Sequence, residues 1–573
     1  SKRLLEVVRI GPLNIMQSKR RVQVLQKHLT ATSVEELAWV EPTTSYSNGM
    51  FRPVLEETSQ LECIVEGKIP NGLKNGTYYR NGPNAKFPAG ASDYFHYFDG
   101  DGMIASFTFG STVVFNHKWV QTDRVKSDAT LGTSIYDFGA MSKGQPVAHL
   151  EGVVNENGER MGKANTALLF HHNRLFATED ADLPYPVDPV TLKTLGTRVR
   201  FQVEQQNHKE EAEEAEEAEE LRVFTAHSVV CSKSGELIGY GCEYSPVQQW
   251  VYLCLSKDGQ KVHTTFAIDL PKTAYSHDFA ASHLYSCCFD GNLQLNWKII
   301  MDNAMNAMRT QKSNTDSKHG ENDTPSVWTY RRDIPGRIGF FPRHATSQEE
   351  VVWCDVLPFA VSHTAACYDD DDGSLVIVTN NIGNESFSPR FPTETPVDED
   401  ACLNMYRIDP INHTVVETVL WRGRSDFPTT NKNWQGPTRY VYAALLDYQE
   451  PNHCPHLYGM YKFDLQQRTM HTEIWSASSS SSSSNAMNEN LRFGGEPLFV
   501  AKENGVDEDD GYVLVLVNDM DKRRTELRLY DAKKIGEEKS LIATVIPVGK
   551  RIQPLGTHGI YLNEKQIKEA VNL

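Results

Sequence analysis

Four of the nineteen histidines lie in short segments of similar character, and imidazoles grouped in this way could ligate a metal ion. The segments are FTAHS, YSHDF, VSHTAACY and GTHG, which contain His227, His277, His363 and His558. Each lies within or at the end of an apparent strand, and together they span more than 300 residues. Any one of them alone is more often a surface or core histidine than a ligand. A shared site therefore requires a closed scaffold, such as the central channel of a β-propeller.

The rest of the chain has the pattern of an all-β protein with many hairpins. Short runs rich in β-branched and aromatic residues recur, for example Leu375–Thr379, Tyr440–Ala444 and Tyr512–Val517. Helical periodicity is restricted to Arg21–Leu29, Trp297–Met308 and the C-terminal tail. Between the strands lie dipeptides that supply the positive φ angles of tight turns, among them Asn75-Gly76, Asp290-Gly291, Asp372-Gly373 and Asp510-Gly511. This pattern predicts a propeller or a large sandwich, and without a fixed repeat it implies no number of blades.

One domain covering residues 1–573 is predicted, because the strand pattern resumes after each segment of different composition. These segments are an N-terminal extension at 1–45, an acidic insert at 205–221, and polar loops at 310–326 and 476–490. The insert contains the run EEAEEAEEAEE, which favours helix but has no apolar face. We predict that it is a solvated helix or a disordered insert.

The composition argues against several functional classes. With 57 basic and 75 acidic residues the net charge is −18, so a nucleic-acid partner is not expected. No apolar run is long enough to cross a bilayer, and Ser1–Ile10 lacks the apolar core of a secretory leader. Ten scattered cysteines without a C-x-x-C pair favour a reducing, cytoplasmic compartment. The chain lacks a G-x-G-x-x-G after a strand, a P-loop, a G-x-S-x-G elbow and an H-E-x-x-H pair, so the corresponding cofactor and hydrolase sites have no support.

A series of short motifs occurs along most of the chain. The most specific are GTYYRNGPN (Gly76–Asn84) and FDGDGMI (Phe98–Ile104). The others are a glutamate followed by LPY (Glu179, Leu183–Tyr185), TAH (Thr225–His227), HDF (His277–Phe279), EPLFV (Glu496–Val500), EDDGY (Glu508–Tyr512) and the pair His558-Gly559. In these motifs and in their order the chain resembles the carotenoid cleavage oxygenase family from about Gly76 to Tyr561.

The resemblance implies a seven-bladed β-propeller, with loops and short helices over its top face and one Fe(II) on its axis. The ligands implied by matching motif are His227, His277, His363 and His558. Carboxylates one shell out are implied at Glu179, Asp426 and Glu496. Such carboxylates accept the second N–H of a ligating imidazole and fix its tautomer.

The resemblance also implies a dioxygenase that uses O2 to cleave one double bond of a carotenoid or apocarotenoid into two aldehyde or ketone products. Four neutral imidazoles leave the metal with its full positive charge, which favours the ferrous state, and octahedral geometry leaves two positions open. The reaction needs no external reductant, in agreement with the missing nucleotide motifs. A tunnel that positions one double bond would select the bond that is cleaved.

Two departures from the family's pattern converge on His363. The family has an asparagine three residues after this histidine, where the chain has Ala366, and a glutamate where it has the shorter Asp426. We therefore expect the contact between Asp426 and His363 to be shifted or bridged by water. Thr557 also replaces the phenylalanine that is common before the fourth histidine. We interpret these differences as variation within a working enzyme.

The segment LNWKIIMDNAMNAM places an apolar stripe on one face of a helix. The stripe consists of Trp297, Ile300, Met301, Ala304, Met305 and Met308. Because the implied substrate is lipid-soluble, we expect this face to contact a membrane or lipid-droplet surface peripherally. The alternative is a helix packed on the top of the propeller.

Other functions remain open on the same residues. A retinoid-type isomerase or a stilbene-cleaving oxygenase would share all four histidines. A non-enzymatic carotenoid-binding protein is the alternative that Ala366 and Asp426 favour. A zinc hydrolase fits less well, because catalytic zinc usually has three protein ligands and a water. Neither the cleaved bond nor the oligomeric state follows from the sequence.

Overall fold

The computed structural model describes residues 53–87, 98, 100–131, 160–180, 182–201, 221–243, 248–299, 328–382, 401–447, 456–476, 491–549 and 554–572. The extension at 1–45 and the loop at 310–326 lie outside these residues, as do all but the last residue of the insert at 205–221 and all but the first of the loop at 476–490. That the chain forms one domain over 1–573 stays a prediction.

The expectation of an all-β protein is confirmed, since strands form nearly all regular structure in the described ranges. The longest helices there are α1 (Asp123–Leu131) and α2 (Glu564–Val571), and short 3-10 turns occupy Asn71–Leu73, Gln348–Glu350 and Ala532–Lys534. The strands are, in chain order, β1 (Thr58–Gly67), β2 (Thr77–Arg80), β3 (Met103–Phe109), β4 (Val113–Trp119), β5 (Ala167–His171), β6 (Arg174–Thr178), β7 (Tyr185–Val187), β8 (Val229–Val230), β9 (Leu237–Glu243), β10 (Gln248–Leu255), β11 (Val262–Leu270), β12 (Ala280–Ala281), β13 (Tyr285–Asp290), β14 (Leu293–Leu295), β15 (Trp328–Tyr330), β16 (Gly336–Pro342), β17 (Val352–Val356), β18 (Val361–Asp369), β19 (Leu375–Asn381), β20 (Cys402–Asp409), β21 (Thr414–Arg422), β22 (Ser425–Thr429), β23 (Tyr440–Asp447), β24 (His456–Asp464), β25 (Thr469–Ile474), β26 (Arg492–Gly494), β27 (Leu498–Ala501), β28 (Gly511–Asp519), β29 (Arg524–Asp531), β30 (Leu541–Pro547) and β31 (Gly559–Leu562).

The strands pair with their neighbours in antiparallel sheets. Four sheets have four strands each, in the orders β11-β10-β9-β8, β12-β13-β16-β17, β18-β19-β20-β21 and β22-β23-β24-β25. A three-stranded sheet contains β5, β6 and β7, and β14 pairs with β15. The remaining sheet has ten strands in the order β26-β28-β29-β30-β1-β4-β3-β2-β31, with β27 also paired to β28. Because β31 pairs with β2, the last strand joins the sheet that the first strands form.

Central strands are apolar on both faces because sheets cover them from both sides. In β28 every residue is buried. Leu514 and Leu516 point into one hydrophobic cluster, whereas Val513 and Val515 point into the next, as the alternation of side chains along a strand requires. β19 divides its side chains between two clusters in the same way. Uninterrupted apolar runs of this kind are typical of strands that are buried on both faces.

The sheets succeed one another face to face in a propeller-like arrangement. A hydrophobic cluster lies between the three-stranded sheet and β8–β11, and further clusters follow between each sheet and the next as far as β22–β25 and β28. The predicted number of seven blades is not reproduced by separate sheets, since the described residues form five sheets of four or more strands. The number is lower because β1 pairs with β30 on one side and with β4 on the other, which merges the first and last strands into one sheet.

No helix among the described residues combines the length and the apolar character that crossing a bilayer requires.

Candidate metal centre

The four histidines lie on or beside the edge strands of four sheets. His227 precedes β8, His277 precedes β12, His363 is within β18 and His558 directly precedes β31. Each of these strands is the edge strand of its sheet. Since successive sheets surround a common axis, the edges that face the axis place their side chains in one small volume.

The structure brings the four imidazoles together. The ring centroid of His227 lies 4.4 Å from that of His277, 4.8 Å from that of His363 and 4.7 Å from that of His558. One nitrogen of each ring lies within 4.8 Å of the nitrogens of all the others, and the Nε2 atoms of His227 and His277 are 3.0 Å apart. Two nitrogens about 2.1 Å from the same ion lie about 3 Å apart when their bonds are perpendicular. The space between the rings therefore has the dimensions of one metal ion.

The surroundings of His363 show whether a metal fits the space between the rings. Its Nδ1 lies 2.6 Å from Asp426 Oδ1, while its Nε2 is buried and has no hydrogen-bond partner. A buried polar atom without a partner loses its hydration with no compensation, and coordination of a metal supplies that compensation. Four imidazole donors suit iron, copper or zinc. The residues present therefore fit a transition metal.

Three carboxylates hold three of the rings from the side away from the centre. The contacts join His277 Nδ1 to Asp180 Oδ2 at 2.7 Å, His363 Nδ1 to Asp426 Oδ1 at 2.6 Å, and His558 Nδ1 to Glu496 Oε1 at 2.8 Å. When Nδ1–H donates to a carboxylate, the ring is fixed in the tautomer that presents Nε2 to a metal.

The structure places Asp180, and not the predicted Glu179, against a histidine ring. Glu179 Oε1 accepts a hydrogen bond from the backbone N–H of Lys163 at 2.6 Å, and burial raises the pKa of Glu179 to about 7. The neighbouring Asp180 reaches His277 instead. The other oxygen of Asp180 accepts the backbone N–H of Ala226 at 2.8 Å. Because Ala226 precedes His227, Asp180 contacts both the segment of His227 and that of His277.

The expectation of a shifted or water-bridged contact at His363 is also wrong. Asp426 contacts the ring directly, and the same oxygen accepts a hydrogen bond from Ser362 Oγ at 2.8 Å. Ala366, which stands where the family has asparagine, packs in the hydrophobic core between two sheets. The shorter carboxylate therefore suffices without a further polar partner at position 366.

Arg80 is a residue of this site that the sequence reasoning did not assign. Its side chain is 1% exposed, and Nη1 donates to Glu496 Oε2 at 2.7 Å. The backbone N–H of Gly559 donates to the same oxygen at 2.8 Å. Glu496 therefore holds His558 with one oxygen and is itself held through the other. Arg80 belongs to the RNGPN motif, which could have indicated it.

Phe427 covers two of the rings and was likewise missed. It follows Asp426 and has a φ of 55°, a left-handed conformation that is rare for a residue with a bulky side chain. Its ring lies 5.4 Å from His363 in a stacked arrangement and 5.3 Å from His558. His363 is therefore contacted both by the Asp426 carboxylate and by the ring of the residue that follows it.

The surroundings oppose protonation of two of the rings. Burial lowers the pKa of His227 well below its usual value, and the other three histidines lower it further. Burial also lowers the pKa of His558, although Glu496 acts in the opposite direction. At His363 burial lowers the pKa, but the charge and hydrogen bond of Asp426, together with the charges of Asp278 and Glu496, raise it above its usual value. Neutral imidazole is the form that ligates a metal.

The predicted membrane-contact residues are only partly described. Residues 297–299 are helical, and Trp297 is half-buried with its indole Nε1 donating to Thr273 Oγ1 at 2.9 Å. Its ring packs against the cluster that contains Leu293 and Trp328. Trp297 therefore faces the protein, as the alternative of a packed helix requires. The remaining residues of the stripe, Ile300, Met301, Ala304, Met305 and Met308, lie outside the described residues.

We expect Asp180→Asn to weaken binding of the iron that the resemblance implies by roughly 10–100-fold, the usual effect of removing the carboxylate partner of a histidine at a metal site. Glu179→Gln is the matched control, because the amide oxygen still accepts the Lys163 N–H and the residue has no contact with the four rings. The measurement is iron content after dialysis against a graded series of chelator concentrations. Equal loss of iron from the two variants would contradict the assignment of Asp180.

The chain is similar to known proteins along most of its length. The family model described as retinal pigment epithelial membrane protein matches residues 51–563. The chain is 25% identical over 546 residues to a carotenoid 9,10(9',10')-cleavage dioxygenase 1 of Phaseolus vulgaris, covering 92% of this chain and 91% of the relative. It is 28% identical over 548 residues to the 9-cis-epoxycarotenoid dioxygenase NCED6 of Arabidopsis thaliana, covering 91% and 82%. A solved mutant structure of the Synechocystis apocarotenoid oxygenase is 24% identical with a TM-score of 0.69, covers 92% of this chain and 99% of its own, and shares the fold.

Proposed function

The chain belongs to the retinal pigment epithelial membrane protein family, and from this premise we propose an Fe(II)-dependent dioxygenase that cleaves a carotenoid or apocarotenoid with O2. The products would be two aldehydes or ketones. The observation that carries the proposal is the convergence of four imidazoles, one of which has a buried Nε2 without a partner. Relatives named as carotenoid and epoxycarotenoid dioxygenases cover nine-tenths of the chain and favour this substrate class.

In this proposal His227, His277, His363 and His558 hold the iron, and Asp180, Asp426 and Glu496 orient three of them. Bound iron would supply the chemistry of O2 activation. The protein's own contribution is to fix the tautomer of three rings through their Nδ1 contacts, while burial opposes protonation of His227 and His558. A tunnel beside the rings would position the double bond that is cleaved.

The proposed fold is the family's seven-bladed propeller. Its support is the hydrophobic cluster that lies between two parts of the ten-stranded sheet, with Phe107 and Phe115 from one part and Leu514 and Leu527 from the other. A single flat sheet cannot pack against itself, so this sheet is two blades that β1 connects. A further cluster joins β2 and β3 to the three-stranded sheet β5–β7. Counted in this way, the proposed propeller has seven blades.

Labelled O2 distinguishes cleavage from isomerisation. We expect that cleavage of an apocarotenal or a carotene under 18O2 places one 18O atom in each of the two carbonyl products. The products are reduced to alcohols at once, because carbonyl oxygen exchanges with water, and are then analysed by mass spectrometry. An isomerase would return uncleaved substrate without label, and this outcome would overturn the proposal.

The non-enzymatic alternative differs in turnover. The enzyme is expected to contain close to one iron per chain when purified and to release product from a panel of carotenes and apocarotenals. Stilbenes belong in the same panel as a comparison, because stilbene-cleaving oxygenases use the same set of histidines. A protein that binds the polyene without product formation when iron is present would be a binding protein.

Peripheral contact with a membrane or lipid droplet and a cytoplasmic location are part of the proposal. The lipid-soluble substrate class supports the contact, and the nine free cysteines among the described residues agree with a reducing compartment. Since Trp297 faces the protein, the contact would depend on the residues that follow it. We expect Met301→Glu with Met305→Glu to reduce co-sedimentation with liposomes. The control is Val506→Glu at a position that is 83% exposed, and unchanged binding of the methionine variant would refute the contact.

A further inference from the structure

Three side chains that can ligate a metal meet at the boundary of two sheets, in a cluster separate from the four-histidine centre. Glu236 directly precedes β9, and His263 lies on β11. In this sheet β11 is the edge strand opposite β8, the strand that His227 precedes. His344 comes from the neighbouring sheet, two residues after β16. None of the three takes part in the proposed dioxygenase site.

From this cluster we infer a second metal site, in which His263, His344 and Glu236 bind a divalent transition metal such as Zn²⁺. Glu236 Oε1 lies 2.9 Å from His344 Nε2 and 3.5 Å from His263 Nε2, and the two ring centroids are 5.5 Å apart. Ligand atoms about 2.1 Å from a tetrahedral ion lie about 3.4 Å apart. Both imidazoles thus place Nε2 near the same carboxylate oxygen.

The two oxygens of Glu236 have different partners, and only Oε1 faces the two histidines. The other oxygen, Oε2, accepts hydrogen bonds from Ser234 Oγ at 2.7 Å and from Arg343 Nη1 at 2.9 Å. Burial alone would raise the pKa of Glu236, but these hydrogen bonds and that of His344 lower it to about 2. Ser234 and Arg343 therefore hold the carboxylate through Oε2. Its orientation is fixed in the manner of an outer-shell hydrogen bond at a metal site.

Access and the remaining coordination position also agree with a metal. The side chain of His344 is 58% exposed and that of His263 33% exposed, so an ion enters from solvent while Glu236 stays 10% exposed. Cys254 Sγ lies within 4.8 Å of the ligand atoms of Glu236 and His344. Water from solvent would occupy the remaining position of a tetrahedral ion. Because the ligands come from two sheets, the ion would cross-link them.

The test counts bound Zn²⁺ in the full-length, iron-loaded protein by equilibrium dialysis, with thermal unfolding measured in parallel. We expect the wild type to bind one more Zn²⁺ than the variant His263→Gln with His344→Gln, and Zn²⁺ to raise the unfolding temperature of the wild type alone. The count is a difference, so any Zn²⁺ that enters the four-histidine centre cancels. Polyene cleavage is expected to be unchanged in this variant, which separates the inference from the proposed function.

The matched control is His413→Gln with His471→Gln, at two exposed histidines outside both clusters, and it should behave as the wild type. The single variant His344→Gln tests the same site at its most exposed ligand and should also lose the additional ion. Equal Zn²⁺ counts in the wild type and the His263→Gln, His344→Gln variant would overturn the inference. The cluster would then be only a hydrogen-bonded network around Glu236.

Discussion

Replacement of His558 by alanine is expected to remove iron and polyene cleavage together. His558 lies 4.7 Å from His227 and 4.8 Å from His363 between ring centroids, so its loss opens one side of the proposed centre. Removal of an outer-shell partner costs about 10–100-fold in metal affinity, and removal of a ligand costs more. We therefore expect turnover to fall by more than about 100-fold, with iron content falling in parallel. The measurements are metal analysis and product chromatography on the same preparation.

The control for this variant is His413→Ala, which removes an imidazole from an exposed turn between β20 and β21. It should keep full iron content and turnover. Thermal unfolding of both variants shows whether the fold is retained. If the His558→Ala protein is folded and keeps both iron and turnover, His558 is not a ligand and the proposed centre is wrong.

The second large effect is expected at Glu496, because this carboxylate pairs with buried Arg80 and also contacts His558. In Glu496→Gln the Arg80 guanidinium, which is 1% exposed, loses its carboxylate partner. Removal of one partner of a buried ion pair costs about 3–5 kcal/mol of unfolding free energy, because a buried charge is left without compensation. The contact to His558 Nδ1 is lost or weakened at the same time, so iron affinity should fall by roughly 10–100-fold. Denaturant unfolding and iron dissociation measure the two effects.

A second substitution separates the two effects. Replacing Arg80 by methionine in the Glu496→Gln background removes the uncompensated charge and should recover part of the lost stability. It restores no carboxylate beside His558, so iron affinity should stay low. Recovery of iron affinity in the double variant would show that Glu496 acts through the fold alone, and an unchanged stability in Glu496→Gln would show that the Arg80 pair contributes little.

Local chemistry could be predicted from the sequence because it depends on neighbouring residues. The apolar run at Tyr512–Val517 predicts a buried strand wherever that strand lies, and β28 is such a strand. The histidine segments at 227, 277, 363 and 558 were recognised by their local motifs. Asp426 and Glu496 were assigned in the same way, and the structure places them against the rings of His363 and His558.

The choice between Glu179 and Asp180 could not be made from the motif. Both are acidic and adjacent, and the direction in which the chain leaves β6 decides which carboxylate reaches His277. The direct contact of Asp426 with His363 was missed for a similar reason. Asp426 lies on β22 and His363 on β18, and the contact of these two strands brings the shorter side chain within reach of the ring, which no sequence pattern indicates.

What only the tertiary structure decided is which distant residues meet. Hydrophobic patterning, turn dipeptides and motifs establish the strands and the candidate ligands, because each depends on a few neighbouring residues. The merging of the first and last strands through β1 depends on pairings between residues nearly 500 apart, such as Cys63 with Pro547. The cluster of Glu236, His263 and His344 depends on the contact of two sheets. Neither follows from the sequence, because strand pairing and packing between sheets determine distances that spacing along the chain does not.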